Sequence, residues 1–231
     1  MNKHAEHEAV PAALARLFSS EDREQIAAAI KKAEGRTAGE IVPFVVEQSD
    51  DYEIAWWRGG MSLSLSVILA LLLLREFTSL WLNLGVAQIV ILILGAQAVG
   101  MAAVYFAPML RRFFAGQRLL DLRVTQRAAE AFVAEEIFRT KDRTGILIFL
   151  SLLERKVIVW GDVGINAKVE QHEWNDVVQL IISGMRAGQP SRGLIAAIEK
   201  CGELLHREGV IRRPDDTDEL TDALRFGNHL N

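Results

Sequence analysis

The chain has 231 residues, of which 50% are hydrophobic and 24% charged, and it carries a formal net charge of −4. Positive mean hydropathy in so charged a chain implies a strongly apolar segment joined to ordinary water-soluble sequence, in one generous domain or two small ones. The near-neutral balance excludes the dense basic face that duplex nucleic acid requires. Cys201, the sole cysteine, excludes an intrachain disulfide framework and a multi-cysteine metal site, and it fits a reducing compartment.

The opening MNKHAEHEAV is polar and mixed in charge, and no signal-peptide core follows within the first thirty residues. Any membrane insertion must then be directed by the first apolar run, near Gly59. Ser19 and Ser20 precede Glu21, Asp22 and Glu24, and Ile26, Ala27, Ile30 and Ala33 recur at helical spacing. That pattern predicts a capped amphipathic helix over 20–34, ended by Gly35. Glu40 to Glu47, EIVPFVVE, reads as a strand in which Pro43 leaves one donor position unpaired.

Met61 to Leu74 is MSLSLSVILALLLL, and Leu84 to Leu110 contains no charge. A bilayer core about 30 Å thick needs roughly 20 helical residues. The second run is long enough; the first spans only if Ile54–Gly60 or Glu76–Leu80 contributes, with Arg58 snorkelling to the headgroups. Trp56, Trp57 and Trp81 fall at interface levels. Two buried helices of a soluble protein are the alternative, against which the charge-free length of the second run weighs. As a hairpin, the pair has one arginine in its loop REFTSLWLN but Arg58, Arg111, Arg112, Arg118, Arg123 and Arg127 on its flanks. The loop should face outward and both flanks the cytoplasm, in a bacterial inner membrane.

After Pro108, Leu119, Leu122, Ala128, Ala129, Phe132, Val133 and Ile137 predict a long stalk helix up to Arg139. KDRTG then leads into ILIFLSLL, and ERK links it to VIVWGDVGI, a predicted β-hairpin. Helices follow over about 170–187, stopped by Gly188, and about 191–208, stopped by Gly209. The domains expected are 1–58, the first part of a soluble α/β domain; 59–110, the membrane hairpin; 111–211, the stalk and the rest of that domain; and 212–231, a polar, partly disordered tail.

With the elements in this order, the soluble parts resemble the TPM domain family. Thr37, Gly39, Glu40 and Ile41 match its first strand entry with a one-residue difference in the Thr-to-Gly spacing. Gly145 to Phe149, Glu154 to Lys156, Val157 to Val159, Gly161 to Gly164 and Gly193 to Ile195 match its later motifs. The resemblance covers roughly 20–50 and 125–208. It implies an α/β fold, a TPM-like sheet flanked by helices, here interrupted by a two-helix transmembrane hairpin in the connection after the first strand. An even number of crossings lets both halves reassemble.

Some members of that family resemble acid phosphatases or bind calcium through acidic loops around the Gly-x-Gly turn. Here the turn keeps Asp162, but the following stretch reads NAKVEQHEWND, with Lys168 where acidity would help. A site for a hard cation, Ca or Mg, would need Asp162 with Asp142, Asn166, Glu170 or Asp176; solvated loop charges are the plainer reading. Glu40 could act as a carboxylate or simply cap a turn or pair with Arg36. His172 and Asp176 share a helix face, too few ligands for a metal. No nucleophile elbow or phosphate-cradling loop occurs, and the small residues of the apolar runs, Gly85, Gly95 and Gly100 among them, read as helix packing.

The function expected is a membrane-anchored TPM-like protein acting as a noncatalytic interaction or assembly module. It would engage the lipid bilayer and a membrane-protein partner or a second copy of itself, and no nucleic acid. The alternatives are a divalent-ion-dependent phosphatase-like hydrolase and a small oligomeric channel or transporter.

Overall fold

The computed structural model describes residues 11–77, 84–212 and 220–227; Trp81 and most of the expected hairpin loop lie outside them. In chain order the elements are α1 (Ala12–Leu17), α2 (Ser20–Glu34), β1 (Glu40–Val46), α3 (Glu53–Phe77), α4 (Val86–Phe106), α5 (Pro108–Ala115), α6 (Gln117–Ala134), β2 (Gly145–Ser151), β3 (Lys156–Gly161), α7 (Val163–Asn166), α8 (Gln171–Arg186), α9 (Pro190–Arg207) and β4 (Arg225–Gly227). They fall into two units, one formed by Asp50–Arg123 and the other by the segments before and after it.

The discontinuous unit is a four-stranded sheet in the order β3-β2-β1-β4, with β1 parallel to β2 and β4, and β3 antiparallel to β2. The crossover from β1 to β2 contains the whole of the second unit. β1 and β2 are buried along their entire length, as parallel strands covered on both faces must be. Because side chains alternate, Ile41, Val45, Ile146, Ile148 and Leu150 pack into one core with α1, α2, α8 and α9. Val42, Phe44, Val46, Leu147 and Phe149 pack into a second with Val124, Ala128 and Ala131 of α6. Pro43, which has no N–H, stands just ahead of the point where β4 joins β1, at Phe44.

Helix α2 begins as expected. Ser19 Oγ accepts from the Asp22 N–H at 3.1 Å and Asp22 Oδ2 accepts from the Ser19 N–H at 2.9 Å, a reciprocal cap that satisfies two otherwise orphaned donors. Three features differ from the sequence reading. The polar tail supplies β4. The single stalk helix is two, broken at Gly116, whose φ of +81° ends α5, and the later part of α6 packs against the sheet. The first apolar helix starts at Glu53, so Trp56, Trp57 and Arg58 lie inside it.

In the second unit, α3 and α4 cross closely at small residues. A Cβ on Gly100 would lie 2.8 Å from Gly59 O and 2.9 Å from Gly60 Cα, so only glycine permits this backbone approach. Gly95, expected to share in this packing, has nothing within 4 Å of such a Cβ. The hydroxyl of Ser64 reaches Ile93 O at 3.2 Å and Gln97 Oε1 at 3.0 Å, while Ser62 and Ser66 bond back to Arg58 O and Ser62 O on their own helix. The serine face therefore satisfies itself and ties the two helices together.

Candidate functional site

The turns at the ends of β2 and β3 bring the expected acidic region together. The antiparallel register sets Gly161 opposite Ile146, and the Asp162 N–H then donates to Gly145 O at 2.8 Å. This places the KDRTG and GDVG turns back to back. Gly164 is where they touch, its N–H donating to Arg143 O at 3.0 Å.

Asp162 is the N-cap of α7 and its side chain is 3% exposed. Oδ1 accepts from the Val163 N–H at 2.7 Å and from Arg143 Nη2 at 2.9 Å, and Oδ2 accepts from Arg143 Nε at 2.6 Å. That is a bidentate guanidinium–carboxylate pair. Asp142 was expected near Asp162 as one of several possible cation ligands; the adjacent Arg143 holds the carboxylate. Asn166 donates to Gly161 O at 2.6 Å. Glu170 caps α8 and lies 3.1 Å from His172 Nδ1. Asp142, His172 and Asp176 are on the surface.

Among the described residues, no three His, Cys, Asp or Glu side chains are grouped to hold a metal ion. With both Asp162 oxygens committed to donors, the residues as arranged do not fit a hard cation, which needs several free oxygens. Replacing Asp162 by Ala should cost about 1 kcal/mol through loss of the cap, read as weaker hydrogen-exchange protection in β3; the half-exposed ion pair adds little. Unchanged protection would show that the cap is idle.

Asn166 and Glu170 also line a cleft of about 630 Å³ with Val159, Trp160, Lys168 and Trp174. Two indoles beside an ammonium and a carboxylate suit a planar or aliphatic group with a polar edge.

Two further polar centres were not assembled by the sequence reading, which singled out only Glu40 among their residues. At the carboxyl ends of β1 and β2, Ser49, Ser151 and Glu154 are all buried. Glu154 Oε1 accepts from the Ser49 N–H at 2.8 Å, the two serine hydroxyls are 2.7 Å apart, and Ser151 Oγ donates to Glu154 Oε2. This closed network fastens the β2–β3 turn to the end of β1. At the opposite end, Glu34, Glu40 and Asp222 approach one another. Glu34 is 4% exposed, and Oε1 accepts from the Ile41 N–H at 2.7 Å. Burial pushes its carboxyl up to about 9, against the Ile41 bond, with Asp222 and Glu40 adding to the rise. Glu34 was legible after all: it continues the buried Ile26–Ile30 stripe by one more step of four.

The TPM domain family matches residues 115–204. Among solved structures, the BA42 protein from the psychrophilic bacterium Bizionia argentinensis is similar, at 20% identity over 91% of this chain and 95% of its own, with a TM-score of 0.56; this is a likeness of fold. No curated protein matches the chain. The family match starts at Ala115, and β1, which precedes it, completes the same sheet by pairing with β2 along its whole length.

Proposed function

We propose that this chain, which carries a TPM domain, is a membrane-anchored interaction or assembly module whose α3 and α4 cross the bilayer. The observation that carries the reading is the exposure of the two apolar helices. Met61, Leu65, Ile91 and Val99 are each more than 60% exposed, and only 11% and 17% of the most apolar windows of α3 and α4 are buried. A core helix of a soluble protein hides such a surface, and soluble monomers rarely expose one this large; lipid covers it at no cost.

The sheet supports an even number of crossings. Residues 40–46 and 145–151 pair as neighbouring strands, so the chain must return to the side from which it left, as two crossings allow. The arginines on the flanks support the cytoplasm as that side. The noncatalytic part of the reading rests on Asp162, whose carboxylate is taken up by Arg143 and Val163. The cleft beside Trp160 and Lys168 supports the partner part of the reading.

Cys201 is fully buried and its thiol is pushed up to about 12 by that burial, so native protein gives no background to thiolate-directed labelling. Alkaline carbonate should leave the chain in the membrane pellet. In intact spheroplasts an impermeant maleimide should label Thr78→Cys, between the two apolar runs in sequence, but label Lys31→Cys on α2 only after permeabilisation. Release by carbonate sinks the anchoring, and the reverse labelling pattern sinks the orientation. Phosphomonoester turnover abolished by Asp162→Ala would favour the hydrolase instead.

A further inference from the structure

α4 ends at Phe106 and, after the single extended residue Ala107, α5 starts with Pro108 at its first position. This short helix is amphipathic in an unusual sense, because its apolar side faces outward. Met109 and Phe113, one helical turn apart, are 83% and 76% exposed, and Phe106 beside them is 79% exposed. No acidic residue occurs between Glu76 and Asp121, whereas Arg111, Arg112 and Arg118 lie within that interval.

Several arginines of this unit are already in use. Arg58 Nη1 donates to Phe114 O at 2.8 Å and Ala115 O at 3.0 Å, neutralising the negative end of α5. Arg111 donates to Tyr105 O near the end of α4 and lies 5.8 Å from the Tyr105 ring centroid. Arg123 pairs with Asp50 at 2.7 Å. Half-buried Arg112 and exposed Arg118 remain to meet an anion. Arg112 Nε is buried and finds no hydrogen-bond partner among the described residues, and Arg118 is exposed. Trp56, packed edge-on against Tyr105 with centroids 5.1 Å apart, and Trp57, 54% exposed, share the same end of the hairpin.

We propose that α5 lies in the membrane interface as an anionic-phospholipid binding element, with Phe106, Met109 and Phe113 entering the acyl boundary while Arg112 and Arg118 bind headgroup phosphates. This rests on the reading of α3 and α4 as spans. The chemistry is complementary at both levels. Exposed Phe and Met sink a few ångströms below the headgroups, and a guanidinium matches the bidentate geometry of a phosphodiester. The surface potential of anionic lipid then adds to the contact.

The test uses the full chain with Trp81→Phe, so that Trp56 and Trp57 report on this end of the hairpin over the constant emission of Trp160 and Trp174 in the sheet unit. It is reconstituted in vesicles of dioleoylphosphatidylcholine with increasing brominated phosphatidylglycerol or brominated phosphatidylcholine. The brominated anionic lipid should quench tryptophan emission with a relative binding constant roughly fivefold above that of the zwitterionic one, the ratio that a single arginine near an anionic surface can supply. Arg112→Gln with Arg118→Gln should bring the ratio to about one, while Arg112→Lys with Arg118→Lys should keep most of the preference. A ratio of one in the unsubstituted chain, or a ratio indifferent to the glutamine pair, overturns the proposal while leaving the spans intact. Absence of quenching by either lipid overturns the spans as well.

Discussion

Gly164→Ala should destabilise the sheet unit by about 2–3 kcal/mol, far more than its one added methyl would imply. A Cβ at that position would lie 2.4 Å from Asp142 O and 2.7 Å from Arg143 O. Both obstacles are backbone carbonyls, so no side-chain rotation relieves the clash, and the KDRTG and GDVG turns must separate. Parting them stretches the Gly164 N–H to Arg143 O bond and the Arg143–Asp162 pair together, since all three sit on the same two turns. The adjacent Val163 is 68% exposed, and Val163→Ala should stay within about 0.5 kcal/mol. Hydrogen exchange of β2 and β3 in the full chain, held in a neutral detergent, measures both. Equal protection in the two variants would mean that the turns do not depend on each other.

What could be read from the sequence follows the range over which each signal acts. The capping box of α2, the short apolar runs of β1 to β3 and the glycine stops near α8 and α9 are local patterns, and each survives into the structure. So does the order of the motifs that resemble the TPM domain family, whose model matches residues 115–204. β4 is invisible beforehand because three residues, Arg225–Gly227, carry no periodicity; they become a strand only because β1 offers them an unpaired edge. The break at Gly116 was hidden by an apolar pattern that runs on through it, and α3 starts early because tryptophan and arginine are interface residues that a hydropathy window discards.

Candidate chemistry was harder to read for a related reason. The GDVG turn and its Asp162 are local, but the side chain that takes up the carboxylate, Arg143, arrives through the β2–β3 register. Ser49 and Glu154 meet across a separation of 105 residues, which no spacing rule connects. The five oxygen-bearing residues named as a possible cation site share a neighbourhood in sequence, yet α8 carries Asp176 on its surface while Asp162 turns inward, so nearness along the chain does not become convergence in space.

Glu34 should make the stability of the sheet unit fall as pH rises across the neutral range. Its carboxyl titrates at about 9 in the folded chain, against an ordinary value of 4.5. Between those two values the folded state keeps a proton that the unfolded state has lost, so the stabilisation is complete below about pH 4.5 and is lost as pH climbs towards 9. At about 1.4 kcal/mol for each unit of pH, the rise from pH 5 to 8 should remove about 2–4 kcal/mol. The causes are physical and separable. Glu34 is sealed at the end of α2, Asp222 bonds to its protonated form, and Glu40 opposes a second charge nearby. Glu34 Oε2 and Asp222 Oδ1 are both buried without a donor among the described residues, a conflict that a proton on Glu34 resolves. Glu34→Gln supplies a permanent donor in almost the same shape while its carbonyl can still accept from Ile41. Denaturant unfolding of the full chain at several pH values should show the slope flattened in this variant, with the gain in stability largest near pH 8. Asp222→Asn should flatten it less, because burial, the largest cause, remains. Parallel pH profiles for Glu34→Gln and the unsubstituted chain would mean that Glu34 is already ionised in the folded protein, and the buried proton would have to be given up.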